Sequence, residues 1–388
     1  MADVLIPRKA NGARLQLRRT ALLTALVTTS GLAQQTPRAA APAPTSVPPT
    51  ATYWIYVGAE SADRIHRVRF DRTGATVEKT TLIGESATEM EGPHGLQISP
   101  DAKWLYMTTG HGTPDGKLWK YALGPDTLVG PGILLGKFPA SLDITPDGLY
   151  TFSANFNLHG EMVPSSISVV YTPTMTEVAQ VTTCTMPHGS RIEPGGMMQY
   201  SGCMMDDQLV EIDTRTFAVA RRFSLAKGKE GPIMTMAGMA GMAGMAGMAG
   251  HDMSAMTTGS TPAASAPMPA MDANQGHGVS MSATCSPTWA QPSADGKKVF
   301  VACNKADEIL EIDRAQWTIT RRFKTGRGPY NLAVTADGAL LVATLKQGAS
   351  FEIFDLATGA SVAQLKTSDA IAHGVAMSPD SRYAFVSS

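Results

Sequence analysis

The stretch HGLQISPDAKWLYMTTG, residues 94–110, decides the fold. An apolar strand runs into a Ser-Pro-Asp turn, and a second apolar strand leaves that turn, which is the pattern of a β-hairpin. Similarity at a period of about 45 residues indicates an architecture built from repeats. The pattern returns as SLDITPDGLYTFSAN from Ser141, SRIEPGGMMQYSGC from Ser190, TWAQPSADGKKVFVAC from Thr288, NLAVTADGALLVATL from Asn331 and HGVAMSPDSRYAFVSS from His373.

Each complete copy of the repeat carries two further strands, as in QLVEIDTRTFAVARRF from Gln208 and EILEIDRAQWTITRRF from Glu308. Four antiparallel strands per repeat form one blade of a β-propeller, so the sequence predicts an all-β propeller over residues 51–388. Five complete repeats run from His94 to Ala372, a sixth stops after its second strand, and residues 53–86 supply three strands of another blade. We therefore expect a complete protein with seven blades, a C-terminal truncation in this chain and an improvised closure of the ring.

These motifs resemble the YVTN-type seven-bladed propellers of surface-layer proteins. That family is similar at the level of the fold to the lactonase, nitrous oxide reductase and haem nitrite reductase propellers. The resemblance covers residues 53–388 apart from one insert, and it rests on the apolar strand, the [ST]-x-D-G turn and the second apolar strand. It implies the fold and says little about chemistry, because one fold hosts many functions.

The N-terminus is typical of an export signal. Arg14, Arg18 and Arg19 precede an apolar stretch, which predicts a signal peptide over residues 1–33, of either the general or the twin-arginine type. A Pro/Ala-rich linker follows over residues 34–50. No later segment is long enough to span a membrane, so we expect a periplasmic or secreted product. The formal net charge of -1 gives no basis for nucleic-acid binding.

Histidines recur at one position of the repeat, just before the innermost strand, where Tyr330 stands in a further copy. Others fall in loops between second and third strands, which a propeller places on the same face. Converging imidazoles predict a transition-metal site. The alternative is that each histidine caps a backbone carbonyl at the channel entrance. The candidate ligands are His94, His188, His373, His111 and His159.

An insertion over residues 229–283 separates two repeats and contains half of the 22 methionines. Its core, MTMAGMAGMAGMAGMAGHDMSAM, favours soft-metal capture, because thioethers select Cu(I) and bind silver in the same way. The alternative is a low-complexity tract tolerated in a surface loop. The candidate ligands are Met239, Met242, Met245, Met248, His251, Met253 and Met256.

The four cysteines are spaced alike in two adjacent repeats. This predicts disulfides Cys184–Cys203 and Cys285–Cys303, each across two neighbouring strands, in keeping with an oxidising compartment. The alternative joins Cys203 to two following methionines in a soft metal cluster.

Several carboxylates are open to more than one interpretation. Glu91, Asp206 and Asp207 are candidates for an acid, a base or a ligand, although such residues more often face water. Asp213 and Asp313 are interpreted as turn formers.

Three functions fit these patterns, and no known catalytic motif is present. The first is an exported binding or scaffold propeller that handles copper, with a metal ion, a small molecule or a periplasmic protein as partner. The second is a lactonase-like or metal-dependent oxidoreductase enzyme with a histidine-lined channel mouth. The third is a structural surface-layer module.

Overall fold

The computed structural model describes residues 47–85, 88–111, 115–233 and 283–388, together with the backbone of residues 2–5. Small antiparallel sheets form a ring of six blades, so the prediction of an all-β propeller is confirmed. A short two-strand hairpin follows the sixth blade. The one helical turn among the described residues is a 3-10 turn at Glu60–Ala62.

The first three blades follow one another along the chain, and blade 1 has three strands. Blade 1 comprises β2 (Tyr53–Ala59), β3 (Arg64–Asp71) and β4 (Gly74–Leu82). Blade 2 comprises β5 (Pro93–Ile98), β6 (Trp104–Thr109), β7 (Lys117–Ala122), β8 (Thr127–Leu128) and β9 (Ile133–Leu134). Blade 3 comprises β10 (Pro139–Ile144), β11 (Tyr150–Asn155), β12 (Pro164–Tyr171) and β13 (Thr176–Thr185).

The remaining blades repeat this order from the innermost strand outward. Blade 4 comprises β14 (Pro187–Ile192), β15 (Met198–Cys203), β16 (Gln208–Asp213), β17 (Ala218–Ser224) and β18 (Gly231–Ile233). Blade 5 comprises β19 (Pro287–Pro292), β20 (Lys298–Cys303), β21 (Glu308–Asp313) and β22 (Thr318–Lys324). Blade 6 comprises β23 (Pro329–Val334), β24 (Leu340–Leu345), β25 (Ser350–Asp355) and β26 (Ser361–Lys366). The terminal sheet comprises β27 (Val375–Met377), β28 (Tyr383–Val386) and β1 (Ala2–Leu5).

The innermost strands share a local irregularity at their first residue. Each of β5, β10, β14, β19 and β23 starts with proline, and its pairing register shifts one to three residues later. Proline has no N–H to give to a ladder, and a bulge redirects the residues beside it. This brings the second and third residues of these strands to the central channel.

Apolar side chains hold neighbouring blades face to face. Between blades 4 and 5, for example, Tyr200 and Phe223 pack with Val299 and Trp317 in one buried cluster. The same cluster contains Val299, Val301 and Cys303, which alternate along β20 as the period-2 pattern of the repeat predicts. The sequence therefore determines the packed faces of each blade.

Aromatic packing closes the ring between blade 1 and the terminal sheet. The ring centroid of Tyr53 lies 5.3 Å from that of Tyr383, and the centroid of Phe70 lies 5.7 Å from that of Phe385. Tyr53 also donates a hydrogen bond of 2.6 Å to Asp380. In the described residues β2 pairs only with β3, so side-chain packing, without strand pairing, makes this junction. Seven blades in a complete protein and the truncation remain predictions.

The strand Ala2–Leu5 lies within the segment predicted to be a signal peptide, and it pairs with β28. The rest of that segment and most of the linker lie outside the described residues, so both remain predictions. No helix in the described part of the chain has the length and apolar character needed to cross a membrane.

Both predicted disulfides are present, with Cα–Cα distances of 5.9 Å for Cys184–Cys203 and 4.4 Å for Cys285–Cys303. Their expected placement across neighbouring strands is wrong. Cys184 is in the outer strand of blade 3 and Cys203 ends the second strand of blade 4, so this bond joins two blades. Cys285 precedes β19 and is not in a strand. The soft cluster around Cys203 is also wrong, because no cysteine is free.

Candidate functional site

The second residue of each innermost strand lines one mouth of the central channel. His94 and His188 occupy this position in β5 and β14, Tyr330 occupies it in β23, and His373 lies just before β27. The ring centroid of His94 is 5.7 Å from that of His373 and 6.2 Å from that of His188. The Tyr330 ring is 4.6 Å from His373 and 5.3 Å from His188. The structure therefore brings together the histidines that share a repeat position.

Hydrogen bonds between consecutive blades run around this mouth, four of them between innermost strands and the last from Thr344 of β24. The bonds are His94 Nδ1 to Ala140 O, Ser141 Oγ to His188 O, His188 Nδ1 to Thr288 O (2.9 Å), Thr288 Oγ1 to Tyr330 O (2.8 Å) and Thr344 Oγ1 to His373 O (3.0 Å). A carbonyl oxygen can only accept, so Nδ1 of both His94 and His188 carries the proton. The alternative interpretation, that these histidines cap carbonyls, describes His94 and His188 correctly. Because Nδ1 carries the proton in each neutral ring, the Nε2 atom of each ring keeps a lone pair that can accept a hydrogen bond or bind a metal ion.

Burial keeps the mouth histidines neutral. Desolvation lowers the pKa of His188 to about 3 and the pKa of His373 to about 2, and repulsion from the His94 ring acts in the same direction. Desolvation also lowers the pKa of His94, against the opposing effect of the Glu60 carboxylate. At neutral pH these imidazoles are therefore ligands and acceptors rather than cations.

A buried phenol completes the inner part of the mouth. Tyr330 donates a hydrogen bond of 3.0 Å to Nε2 of His188. Burial raises the pKa of this phenol, so it stays protonated and remains the donor. The Lys346 ammonium lies 4.3 Å from the Tyr330 ring centroid, and desolvation lowers its pKa.

The outer rim contains the loop histidines. Nε2 of His111 lies 2.5 Å from Oε1 of Glu60, which is also 3.9 Å from Nε2 of His94. The His111 ring is 5.8 Å from the exposed ring of His159, and both contact Phe138. The loop histidines therefore lie beside the channel mouth, as the sequence predicted.

A cavity of about 470 Å³ opens from this mouth. His94, His373 and Glu60 are among its lining residues, and the cavity also reaches Phe70 and Phe385 at the junction of blade 1 with the terminal sheet. Sequence reasoning missed several of its residues, although the repeat contains a signal for two of them. At the third position of the innermost strand three copies carry glycine or serine, whereas two carry a larger side chain with a hydrogen-bonding group. The missed lining residues are Glu60, Arg191, Trp289 and Asn331.

The carboxylates singled out in the sequence have structural roles. Asp207 is 4% exposed and accepts hydrogen bonds from the chain that leads into blade 5, and Asp206 accepts one from Thr185 N. Glu91 is 5% exposed, and its Oε1 accepts a bond from Glu85 N. The expectation that such residues face water is therefore wrong for Asp207 and Glu91, because backbone N–H groups replace water around them.

The turn aspartates behave as predicted. Asp213 accepts bonds from the backbone N–H groups of Arg215 and Thr216, and Asp313 accepts one from Gln316 N. Each carboxylate thus caps the turn that follows the third strand of its blade.

No group of three or more His, Cys, Asp or Glu side chains in the described ranges is arranged to hold a metal ion. The methionine candidates and His251 lie outside the described residues, so the methionine-rich site remains a prediction. The histidines offer two imidazoles to the cavity, His94 and His373.

Comparison with known proteins establishes the fold of this chain but not its family. No protein-family model matches the chain, and no curated protein matches it. The chain is similar to a solved structure of Kuenenia stuttgartiensis hydrazine synthase, with 17% identity over 79% of this chain and 77% of that one, and a TM-score of 0.53. It is also similar to a functionally unknown protein from Desulfotomaculum acetoxidans, with 11% identity over 83% of this chain and 88% of that one, and a TM-score of 0.55.

These likenesses decide one point. The chain folds as a β-propeller. At such identities the activity of a neighbour says nothing about this propeller, and the YVTN-type relationship remains a prediction from the repeat motifs.

Proposed function

We propose that this propeller is an exported binding protein that takes copper ions at its histidine-bearing mouth. The observation that carries the proposal is the pair His94 and His373, two neutral imidazoles with centroids 5.7 Å apart that line the same cavity. Imidazole binds copper only when unprotonated, and burial removes the competition from protons at neutral pH. The fixed Nδ1–H of His94 is the outer contact that orients a ligating histidine.

Two imidazoles bind a cation less tightly than a complete coordination sphere. Exchangeable occupancy suits a protein that takes up and releases copper, with water or another small ligand completing the sphere. The methionine-rich insertion, which the sequence marks as a soft-metal segment, is a second and separate candidate. The two disulfides support the exported location, because such bonds persist outside the reducing cytoplasm.

Copper titration of the metal-free full chain tests the proposal. The variants are His94→Gln with His373→Gln, a deletion of residues 234–256, and His66→Gln as a matched control, because His66 lies in β3 away from the mouth. We expect the double glutamine variant to lose at least tenfold in copper affinity and the control to match the parent chain. Unchanged affinity in the double variant, or no copper bound by the parent chain, would overturn the mouth site. Loss in the deletion alone would assign the copper to the insertion.

A second candidate function is an enzyme, and the hydrogen bond from Tyr330 to His188 favours it. A buried phenol held on a neutral imidazole beside a cavity is positioned to donate a hydrogen bond to a bound substrate. The test is a screen of lactone hydrolysis and metal-dependent oxidation with the parent chain and Tyr330→Phe. Turnover that is abolished by Tyr330→Phe would establish this function, and absence of turnover would reject it.

A further inference from the structure

We infer that the cavity at the histidine-bearing mouth binds a small organic carboxylate that also carries a hydroxyl or amino group. Arg191, Trp289 and Asn331 hold this ligand. The site needs no metal ion and stands independently of the copper proposal. All three residues line the cavity of about 470 Å³ that opens at the mouth. They come from the innermost strands β14, β19 and β23, so three different blades contribute.

The indole of Trp289 packs directly against Gly189 of the neighbouring blade, where the absence of a side chain leaves space for the ring. A Cβ at Gly189 would lie 2.3 Å from Cε3 of Trp289, so no larger residue fits beneath this ring. The guanidinium carbon of Arg191 lies 4.6 Å from the indole centroid. A stacked guanidinium is held in one plane, which prepares its edge for a planar anion.

Two buried polar atoms on this wall have no protein partner. Trp289 and Asn331 are each 6% exposed, and neither Nε1 of Trp289 nor Oδ1 of Asn331 makes a hydrogen bond within the described residues. Burying a donor or an acceptor without a partner is destabilising, so such atoms call for a ligand or ordered water. One atom is a donor and the other an acceptor. A ligand that satisfies both carries an acceptor and a donor of its own.

Arg191 supplies the charge that selects an anion. Its Nη1 donates to the carbonyls of Ser190 at 2.9 Å and Leu142 at 3.3 Å, and among the described residues no carboxylate lies within 4.0 Å of it. The nearby buried Asp143 attracts Arg191 electrostatically, and its two oxygens accept hydrogen bonds from the backbone N–H groups of Ile144 and Ile192. Because the interaction with Asp143 acts over more than 4.0 Å, the guanidinium has no directly bonded counter-ion and can still bind a carboxylate. The neutral histidines of the mouth add no charge of their own to the cavity.

The cavity has room for a small organic acid. A volume of about 470 Å³ lies within the range of ~300–1,000 Å³ for sites that take small organic molecules. Leu142 and Val375 add apolar wall, so a short carbon skeleton fits beside the polar groups. The chemistry of the wall therefore fits short hydroxy acids and amino acids.

Calorimetric titration of the full chain in the presence of a chelator tests this site. The probes are lactate and serine, with propionate lacking the hydroxyl and 1,2-propanediol lacking the carboxylate. We expect lactate or serine to bind at least tenfold more tightly than either control compound and to change tryptophan fluorescence. Equal affinity for all four compounds, or heat from none at millimolar concentration, would overturn the inference and leave water as the occupant.

Three variants locate the binding. Arg191→Gln is expected to weaken binding at least tenfold. Trp289→Phe keeps an aromatic ring but removes the indole N–H, and it is expected to weaken binding severalfold while the protein stays folded, with the loss of stability that a smaller buried ring brings. Trp54→Phe is its matched control, because Trp54 is 54% exposed on the outside. If Trp289→Phe and Trp54→Phe bind alike, the inference is wrong even where Arg191→Gln fails to fold. Copper binding by the mouth is measured separately, so failure of one site does not decide the other.

Discussion

The carboxylate of Asp207 accepts a hydrogen bond of 3.1 Å from the backbone N–H of Cys285, 78 residues further along the chain. The same carboxylate accepts bonds from the N–H groups of Ser286 and Thr284 and from the Thr284 hydroxyl. It thereby fixes the point where the chain returns from the insertion to blade 5. Asp63 and Asp307 hold the chain entering blades 2 and 6 in the same way, with Asp63 bonded to Gly92 N and Asp307 to Gly328 N.

Replacement of Asp207 by asparagine is expected to destabilise the protein by about 2–3 kcal/mol. The asparagine side chain has one oxygen that still accepts, but its NH₂ group would face backbone N–H groups that also donate. The charge of the carboxylate, which strengthens the original bonds, is lost as well. Chemical denaturation measures the change. Asp206→Asn is the matched control, because this exposed neighbour accepts one backbone bond. Equal losses in the two variants would contradict a special role for Asp207.

Loss of either disulfide is expected to cost about 3 kcal/mol, since each closes a loop of 18 or 19 residues. The paired variants Cys184→Ala with Cys203→Ala and Cys285→Ala with Cys303→Ala are compared by urea unfolding. Cys184–Cys203 joins blades 3 and 4, so its removal should increase hydrogen exchange in both. Free thiols in denatured, unreduced protein would argue against the bonds.

The low pKa values of the mouth histidines predict that the free energy of unfolding decreases in acid. The folded pKa is about 3 for His188 and about 2 for His373, far below the value near 6.5 of an unfolded histidine. Below pH 6.5 the unfolded chain therefore takes up protons that the folded chain refuses, and the free energy of unfolding falls with pH. The slope is about 1.4 kcal/mol per pH unit for each such histidine.

Urea unfolding between pH 7.5 and pH 5 measures this slope. His373→Gln should reduce this slope by the contribution of one histidine, about 1.4 kcal/mol per pH unit. His66→Gln should leave the slope unchanged, because that residue lies outside the channel. A free energy of unfolding that is flat across this range would show that the mouth does not exclude protons.

Because side-chain packing without strand pairing joins blade 1 to the terminal sheet, we expect β27 and β28 to depend strongly on the aromatic contacts of Phe70 for their stability. Phe70 is 6% exposed and contacts both Tyr383 and Phe385. Phe70→Ala is expected to cost about 3–5 kcal/mol and to speed hydrogen exchange in β27 and β28. Trp54→Ala, on the exposed face of β2, should change neither by as much. Protection of β27 that survives in Phe70→Ala would indicate another source of closure.

The repeat allowed much of the site to be predicted. Because every copy places its second residue at the same height of the channel, His94, His188 and His373 were found without a structure. The sequence does not single out Trp289 and Asn331, because their interest lies in buried polar atoms without a hydrogen-bond partner beside the cavity, and only the packed structure shows these. The sequence gives no signal for Glu60, because this residue lies in the turn between β2 and β3 of blade 1 and has no counterpart in the repeated hairpin.

The sequence by itself determined the alternating strands, the turns and the pairing of the cysteines, since these follow from local patterns and from equal spacing in adjacent repeats. Only the tertiary structure decided that the disulfides act between blades or at their entry points, that aromatic rings close the ring of blades, and that Arg191 lies over Trp289. The physical reason is separation along the chain. Contacts between residues 98 positions apart, such as Arg191 and Trp289, depend on how the blades curve together, which no single repeat encodes.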